Sequence, residues 1–407
     1  MKSFLRHGAT FQHRMFDMAV TVRVEKVAGL WCQIRCFGTN SEEIALAVAQ
    51  ALPQAAPSAV VIALGPEASV VAATTAALAG FFGSACPVLG GVTLDNLECS
   101  SDLAETGMRV AVLLLEASWC RVGIGVAELK NGPIACGQRA VESAIAALGT
   151  SVANIGPNHV ALTLLDGSSG YAESFCLGTA TVASGLKVVG GALGSRDYAQ
   201  GTRPAIWIGT QQLDCLGLVI LLESKRKLVS IESIHVEPSD RRTIVTGCSG
   251  NHIIELDGMP ASSRYLELLN GIAEHQVLPD TPTLYPFGWY SRGRPYLRSV
   301  LRIHEDYLIM AGTVTRGQVL RLMKPNDIVA ATHRDMVAAD TLLGGCVGWL
   351  AFSCLEREFE ARLSSVLPSL RAEYFALPCF GFESLGEQSG MMWVNHTLTG
   401  LAIGALQ

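Results

Sequence analysis

The feature of this sequence that most constrains its fold is an internal repeat. Each copy begins with an apolar strand, continues through a polar turn and a helix-like segment, and ends in a second apolar strand that contains glycine. The first strands of the three copies span residues 60–64, 160–165 and 347–352. A strand, a helix and a second strand in this order predict a parallel strand pair joined by a right-handed crossover.

The segments between the copies predict further strands. Residues 109–116, 215–222 and 242–248 are rich in Val, Ile and Leu, which is typical of strands that are buried on both faces. The sequence therefore predicts an α/β protein of some α+β character, with mixed, largely buried β-sheets flanked by helices and built from repeated strand-helix-strand units. The Pro- and Gly-rich stretch 279–295 predicts a long surface loop.

The apolar composition raises the question of a membrane. Hydrophobic residues make up 49% of the 407 residues and charged residues only 16%. The stretch 68–94 has no charge and is long enough to span a bilayer, but Pro87 and the Gly90, Gly91 pair interrupt it. We therefore predict a buried helix followed by a buried strand. The N-terminal segment has no secretory signal, which favours a cytoplasmic protein with no membrane partner.

Cysteine spacing and net charge exclude two further classes. The twelve cysteines contain no CxxC pair, which favours reduced, buried thiols and gives no zinc-ligand spacing. The net charge is −6, and no basic cluster is larger than residues 225–227. Nucleic acid is therefore not an expected partner.

The sequence has no motif that predicts catalysis. GxSxG, the P-loop, HExxH and GxGxxG in its required context are missing. Cys354 lies near Arg357 in sequence, and a nearby cation favours a thiolate, but no histidine base is tied to this cysteine. We expect that the protein is not an enzyme.

Candidate ligand-binding residues follow the first strands of the repeats, at the sheet edge where open α/β folds bind ligands. Asp166, Ser168 and Ser169 offer two hydroxyls and backbone N–H groups that suit a carboxylate or phosphate. The alternative is that they cap a helix. Gly190 and Gly191 allow either close approach of a ligand or tight strand packing.

The third repeat offers charged candidates. Arg357 and Glu387 lie in apolar segments, and buried charges need partners. They are predicted either to pair with each other or to hold a ligand carboxylate, a task that suits the planar guanidinium. A surface ion pair is the alternative. Cys354 and Asn395 complete the predicted ligand-binding set.

Four local motifs then indicate a family. They are Val189-Gly190-Gly191-Ala192, the run 255–261 (ELDGMPA), Phe352-Ser353-Cys354 with Arg357, and Gly381-Phe382 with Gly386, Glu387, Asn395 and Thr397. In this order the sequence resembles bacterial FIST-domain proteins. The resemblance divides the chain into an N-terminal extension (1–40), a FIST N-terminal domain (41–254) and a FIST C-terminal domain (255–404). Val394 and the Gly65, Pro66 turn depart from the family pattern, so the specificity is expected to differ.

The resemblance implies a sensory module for signal transduction that recognises a small ligand, such as an amino acid or another small carboxylate. It also implies output through a kinase or a cyclic-dinucleotide enzyme, here expected to be encoded separately. One branch of the family resembles haem-binding nitric oxide sensors. No cofactor or metal is expected, and haem is the one cofactor that the resemblance allows, with His396 and Cys354 as candidate ligands. A ligand-free interaction scaffold is a third hypothesis.

Overall fold

The computed structural model describes residues 8–9, 20–52, 57–97, 107–130, 132–197, 202–272, 284–291 and 293–406. This described part contains four β-sheets, and three of them surround one apolar core. Each of the three contains one predicted repeat, and helices cover its other face. The fold is α/β, with mixed, largely buried sheets built from repeated units, so the predicted fold class is confirmed.

The first sheet is built around the first repeat. In spatial order its strands are β1 (Gly8–Ala9), β2 (Thr21–Val27), β3 (Trp31–Gly38), β7 (Met108–Glu116), β4 (Ser58–Gly65), β5 (Val88–Val92), β11 (Ile206–Ile208) and β12 (Gln211–Leu213), and its helices are α1 (Ser41–Ala51) and α2 (Ala68–Phe82). β4 and β5 are parallel, and α2 connects them. Val61 packs toward the helices while Ile62 and Leu64 face the common core, as the two-residue period of a strand requires.

The second sheet repeats this arrangement. Its strands in spatial order are β26 (Met392–Val394), β25 (Glu387–Ser389), β10 (Lys187–Leu193), β9 (His159–Asp166), β13 (Leu216–Ser224) and β8 (Cys120–Glu128), and its helices are α3 (Pro133–Leu148) and α4 (Ala172–Thr181). β9 and β10 are the parallel pair, and α4 connects them. Leu162 and Leu164 face the common core, whereas Ala161 and Leu165 pack against the helices.

The third sheet contains the most divergent repeat. Its strands in spatial order are β14 (Arg226–Ser233), β27 (Leu398–Leu406), β23 (Cys346–Cys354), β24 (Cys379–Ser384) and β6 (Asp95–Asn96), and its helices are α6 (Ile328–Leu343), α7 (Leu355–Leu363) and α8 (Leu367–Tyr374). β23 and β24 are parallel. The sequence predicts one crossover helix at 356–370, but the structure has two. The break falls at Ser365, whose φ of 58° is left-handed and ends a helix.

The three repeats form a closed ring because each one adds an edge strand to the sheet of another. β6 follows β5 in the chain but pairs with β24 of the third sheet. β11 follows β10 but pairs with β5 of the first sheet, and β25 follows β24 but pairs with β10 of the second sheet. Each sheet is therefore completed by a strand from a different repeat.

The carboxyl ends of the three parallel pairs meet at one end of the ring. Leu94, Gly194 and Leu385 occupy equivalent places in the three repeats. Each lies three residues after an equivalent residue of the second strand that pairs with the edge strand, namely Gly91, Gly191 and Phe382. A Cβ on Gly194 would lie 2.7 Å from Leu385 Cγ and 3.2 Å from Leu94 Cγ, so the three positions are in contact. The turn after the first strand of the second repeat lies beside this contact, because a Cβ on Gly167 would lie 2.9 Å from Leu385 Cβ.

The fourth sheet packs around a separate core with α5 (Ala261–Leu269). Its strands in spatial order are β19 (Arg294–Arg298), β18 (Phe287–Ser291), β22 (Val319–Lys324), β15 (Glu237–Ser249), β16 (His252–Leu256), β21 (Leu308–Met310) and β20 (Val300–Ile303), and β17 (Met259–Pro260) pairs with β16. The prediction of a surface loop over 279–295 is wrong for residues 287–291, which form β18. Phe287 of this strand is buried, and Trp289 stacks on Tyr296. Residues 279–283 and 292 lie outside the described residues.

The stretch 68–85 is long and apolar enough to cross a membrane by length and composition, and 28% of it is buried in the structure. α2 forms most of it and packs on β4 and β5, the parallel strands that it connects. The structure confirms a helix followed by a buried strand, but the sequence predicted a buried helix and the helix is only partly buried. The helix buries one face, formed by Val70, Val71, Thr74, Thr75 and Leu78.

Candidate functional site

The candidate site lies at the carboxyl end of the third repeat, where charged side chains are buried beside an apolar sheet. α7 begins directly after β23 and carries Arg357 and Glu360 one turn apart. His235 comes two residues after β14, and His396 comes two residues before β27, the strand between β14 and β23. All four side chains are buried, and we call them the buried cluster.

Glu360 joins the two histidines of the buried cluster. Its Oε2 lies 2.8 Å from Nε2 of His235 and 2.8 Å from Nε2 of His396. His396 has a φ of 54°, a left-handed conformation that residues other than glycine rarely adopt and that concentrates at functional sites. Its buried Nδ1 has no hydrogen-bond partner among the residues that the structure describes.

Arg357 closes the other side of the buried cluster. Its Nη1 lies 3.0 Å from Nδ1 of His235 and donates to the Ser233 carbonyl at 3.4 Å. Its Nη2 donates to Thr332 Oγ1 at 2.8 Å, whereas Nε has no hydrogen-bond partner. Arg357 is therefore held by contacts from β14, the segment after it and α6, and not by Glu387 as one sequence hypothesis proposed.

Burial and hydrogen bonding set the charges of the buried cluster. Burial lowers the pKa of His235 to about 4, against the opposing effect of the Glu360 carboxylate. Burial alone would raise the pKa of Glu360, but hydrogen bonds from His235 and His396 outweigh it and hold this pKa well below its usual range. At neutral pH Glu360 is thus an ionised carboxylate and His235 is a neutral imidazole.

A cavity of about 370 Å³ reaches the buried cluster at Glu360. It lies between the fourth sheet and the helices of the third repeat. The polar residues on its wall are Tyr285, Lys324, Asn326, Asp327, Glu360 and Ser364. Small-molecule sites usually occupy roughly 300–1,000 Å³, so the cavity has the size of a site for a small ligand.

Glu387 and Cys354 form a second buried polar group at the same end of the third sheet. Glu387 Oε1 accepts a hydrogen bond from Ser384 Oγ at 2.6 Å, and the Cys354 thiol contacts the Glu356 carboxylate. Burial raises the pKa of both Glu387 and Cys354. Burial therefore disfavours the carboxylate form of Glu387 and the thiolate form of Cys354. The buried amide of Asn395 has no hydrogen-bond partner on either side-chain atom.

The predicted anion-binding turn of the second repeat uses its polar groups internally. Asp166 Oδ1 accepts from Ser168 N at 2.9 Å and from Ser168 Oγ at 2.6 Å, and Ser169 Oγ accepts from Tyr171 N at 3.2 Å. The buried Asp166 Oδ2 faces Arg203 at 4.0 Å. These contacts stabilise the turn itself. The N-cap residue of α4 is Tyr171, which makes no capping hydrogen bond with its side chain, so Asp166, Ser168 and Ser169 are not the N-cap.

The contacts of Gly190 and Gly191 favour the packing hypothesis. A Cβ on Gly190 would lie 2.2 Å from the carbonyl oxygen of Thr163, and one on Gly191 would lie 2.9 Å from Phe352 Cβ. Gly191 also pairs with Glu387 across β10 and β25. Both glycines therefore lie where neighbouring strands approach too closely for a side chain.

The side chains of the buried cluster include possible metal ligands, but their hydrogen bonds conflict with metal binding. Two imidazoles and a carboxylate suit zinc, and their ligand atoms lie within 4.8 Å of one another. A metal on His235 Nε2 would need the proton on Nδ1, which faces the Arg357 guanidinium at 3.0 Å. Because arginine cannot accept that proton, the arrangement does not fit a metal.

The candidate haem ligands Cys354 and His396 have other contacts in the structure. The Cys354 thiol is buried against a carboxylate, and Nε2 of His396 contacts Glu360. We expect purified protein to be colourless and to bind no added haem. The measurement is absorption spectroscopy with a haem titration, and a Soret band that saturates at one haem per chain would contradict this expectation.

Comparison with known families decides the family. The FIST N domain matches residues 34–259, and the FIST C domain matches residues 261–390. The chain belongs to the FIST family. FIST domains are small-ligand sensory domains in signal transduction, and the buried cluster joins both of them, because His235 lies in the FIST N match and the other three residues lie in the FIST C match or directly after it.

Individual relatives of this FIST protein add little. A segment is 32% identical over 104 residues to the uncharacterized protein MJ1623 of Methanocaldococcus jannaschii, which is 22% of this chain and 20% of that protein. The chain thus matches about a fifth of the length of this curated relative. The solved structure of PurLQS from Thermotoga maritima covers 93% of this chain and 74% of its own, at 9% identity and a TM-score of 0.18, too low to indicate a shared fold.

Sequence reasoning found Arg357 in this FIST protein and missed its partners. From the sequence, Glu360 is expected on the solvent-exposed face of a charged helix, and His235 is one of several histidines near strand ends. The only sequence signal was His396, which the sequence offered as a candidate haem ligand. The pairing of His235 with Glu360 spans 125 residues, and no local pattern predicts a contact over that distance.

Proposed function

We propose that this protein senses an amino acid or another small carboxylate that binds in the cavity beside the buried cluster. The observation that carries the proposal is an ionised Glu360 on the wall of a cavity of ligand size. Binding sites typically combine an apolar wall with a few convergent polar groups and a residue of shifted pKa. Ile272, Leu284 and Val366 supply the apolar part of this wall.

The rest of the wall suits a carboxylate. Lys324 borders the cavity, where its ammonium group lies 2.8 Å from Glu237. Residues 326–328 of the wall form the N-terminus of α6. The Asp327 carboxylate already accepts there from the backbone N–H groups of Val329 and Ala330, so the attraction for a ligand carboxylate comes from Lys324. The positive charge of the Lys324 ammonium group would attract a ligand carboxylate in the cavity.

The buried cluster offers a route for the signal. All the residues that line the cavity lie in the FIST C match, whereas His235 and Ser233 lie in the FIST N match. A ligand that contacts Glu360 therefore acts on hydrogen bonds that join the two halves. Such a ligand shifts the halves if it binds their two arrangements with different affinity.

The output and location follow from the family resemblance. We propose that the chain has no catalytic activity and that its signal passes to a separately encoded kinase or cyclic-dinucleotide enzyme in the cytoplasm. The neutral Cys354 supports the first part, because a protonated and fully buried thiol is a poor nucleophile.

We expect Glu360→Gln to weaken binding of the ligand by roughly tenfold to hundredfold, because it removes a charged acceptor but keeps the shape of the side chain. Calorimetry would measure this after a thermal-shift screen of amino acids and small carboxylates has found a compound that stabilises the wild type.

The matched control is Glu142→Gln, which changes an exposed carboxylate on α3. Equal affinity of wild type and Glu360→Gln for such a compound would place its site elsewhere. If no compound stabilises the protein while a signalling protein co-purifies with it, the scaffold hypothesis replaces the sensor.

A further inference from the structure

Each nitrogen of the His235 ring faces a different charged group. Nε2 lies 2.8 Å from the Glu360 carboxylate, and Nδ1 lies 3.0 Å from the Arg357 guanidinium. The imidazole is fully buried, so no solvent competes with either contact. His396 is the other titratable group against this ring, with ring centroids 5.3 Å apart.

Arg357 and Glu360 together decide which nitrogen carries the proton. A guanidinium has only donors, so Nδ1 of His235 must accept from it. The single proton of the neutral ring is then on Nε2, where it is donated to Glu360. Rotation of Arg357 away from the ring is opposed by Thr332 Oγ1 at 2.8 Å and the Ser233 carbonyl at 3.4 Å.

The two histidines contact only one oxygen of the Glu360 carboxylate. Both imidazoles contact Oε2 of Glu360, which leaves Oε1 without either ring. Glu360 lines the cavity, and Asp327 is a second carboxylate on the same wall. A ligand carboxylate placed against them would be repelled, whereas a cationic donor would be attracted.

We propose that Arg357 is a positioning residue: through His235 it holds Glu360 as an acceptor toward the cavity, and it thereby selects a ligand that places an ammonium or amidinium group there. The selection rests on the function proposed above. The effect of Arg357 on His235 does not rest on that function, because it is a property of the protein without a ligand.

The test of Arg357 is the protonation of His235, measured by NMR on protein with ¹⁵N-labelled histidine. In the wild type at neutral pH, His235 is expected to be neutral with its proton on Nε2. Arg357→Met removes a positive charge beside the ring, so His235 is expected to titrate at higher pH, while Glu360 still accepts the proton of Nε2. Arg357→Lys, which keeps a cationic donor, is expected to return the titration of His235 in part toward that of the wild type.

His159 is the internal control. Its Nδ1 accepts from the backbone N–H of Gly156 at 3.1 Å, so its tautomer reports the fold and not Arg357. A proton on Nδ1 of His235 in the wild type overturns the proposal without any variant. An unchanged titration of His235 in a folded Arg357→Met protein overturns it as well.

The ligand test compares each of the twenty amino acids with its N-acetyl derivative by calorimetry. We expect the derivatives to bind at least tenfold more weakly, because acetylation removes the ammonium charge. Equal binding of both forms overturns the cationic selection and leaves the proposed sensor intact. Binding of none overturns both the selection and the proposed amino-acid function, while the NMR result still decides the role of Arg357.

Discussion

Gly190→Ala is expected to destabilise the protein by at least about 3 kcal/mol, the upper part of the range for overpacked cores. The new Cβ would lie 2.1 Å from Thr163 Oγ1 and 2.2 Å from the Thr163 carbonyl oxygen. A hydroxyl can rotate, but the carbonyl belongs to β9, the parallel neighbour of β10. The two strands must therefore separate, which also disturbs the helix packed on them. Denaturant unfolding of both proteins measures the difference.

The control for this substitution is Gly80→Ala in α2. Gly80 is exposed, and a Cβ there would meet no atom within 4 Å. Alanine is favoured over glycine in a helix by about 1 kcal/mol, so this variant is expected to be stabilised. A Gly190→Ala protein of wild-type stability that no longer binds ligand would show that the glycine serves the ligand and not the strand packing.

The equivalent glycines of the other repeats extend the argument. Gly90 and Gly381 occupy the place of Gly190 in the registers of the parallel pairs. A Cβ on Gly90 would lie 2.4 Å from Thr75 Oγ1, and one on Gly381 would lie 2.1 Å from the Ala351 carbonyl oxygen. Glycine at this point of each second strand is therefore a requirement of the repeat, which explains why the sequence pattern recurs.

The repeats were predictable from sequence because their signals are local. An apolar run, a turn and a helical segment each depend on residues close together in the chain. The ring was not predictable, because it depends on where short edge strands dock. β6 contains only Asp95 and Asn96, and β25 only Glu387–Ser389. Neither segment has the length or the alternation that identifies a strand.

The same limit applies to the candidate site. Arg357 could be selected because an arginine between apolar segments needs a partner. Its actual partners come from residues 233, 235 and 332, which lie in other elements and have no sequence relation to α7. The apolar flanks of Arg357 thus predicted its burial but not the imidazole that it would contact.

Glu383→Gln is expected to make the protein more stable, and the gain is expected to grow as the pH rises. Glu383 lies on β24, where burial, Glu358 and Asp95 together raise its pKa from 4.5 to about 8. Arg362 and Arg371 oppose the shift only partly, since each lies 3.7 Å away. Oε1 of Glu383 makes no hydrogen bond. The folded protein therefore holds this carboxyl group in its neutral form at neutral pH.

The sign of the effect follows from proton linkage. The unfolded chain loses this proton near pH 4.5, whereas the folded chain keeps it to about pH 8. Between these values the folded state binds more protons, so stability falls as the pH rises, by about 1.4 kcal/mol per unit for one proton. Glutamine cannot ionise and removes this loss, so the variant gains on the order of 3 kcal/mol by pH 7.

Urea unfolding at pH 5, 6, 7 and 8 measures the effect, with Glu142→Gln as the exposed control. The wild type and the control are expected to lose stability together along this series, while Glu383→Gln separates from them increasingly. Parallel curves for all three proteins would mean that Glu383 ionises in the folded state, with Arg362 and Arg371 as closer partners than the structure shows. In that case the buried carboxyl groups of the third repeat would be ion pairs and not neutral acids.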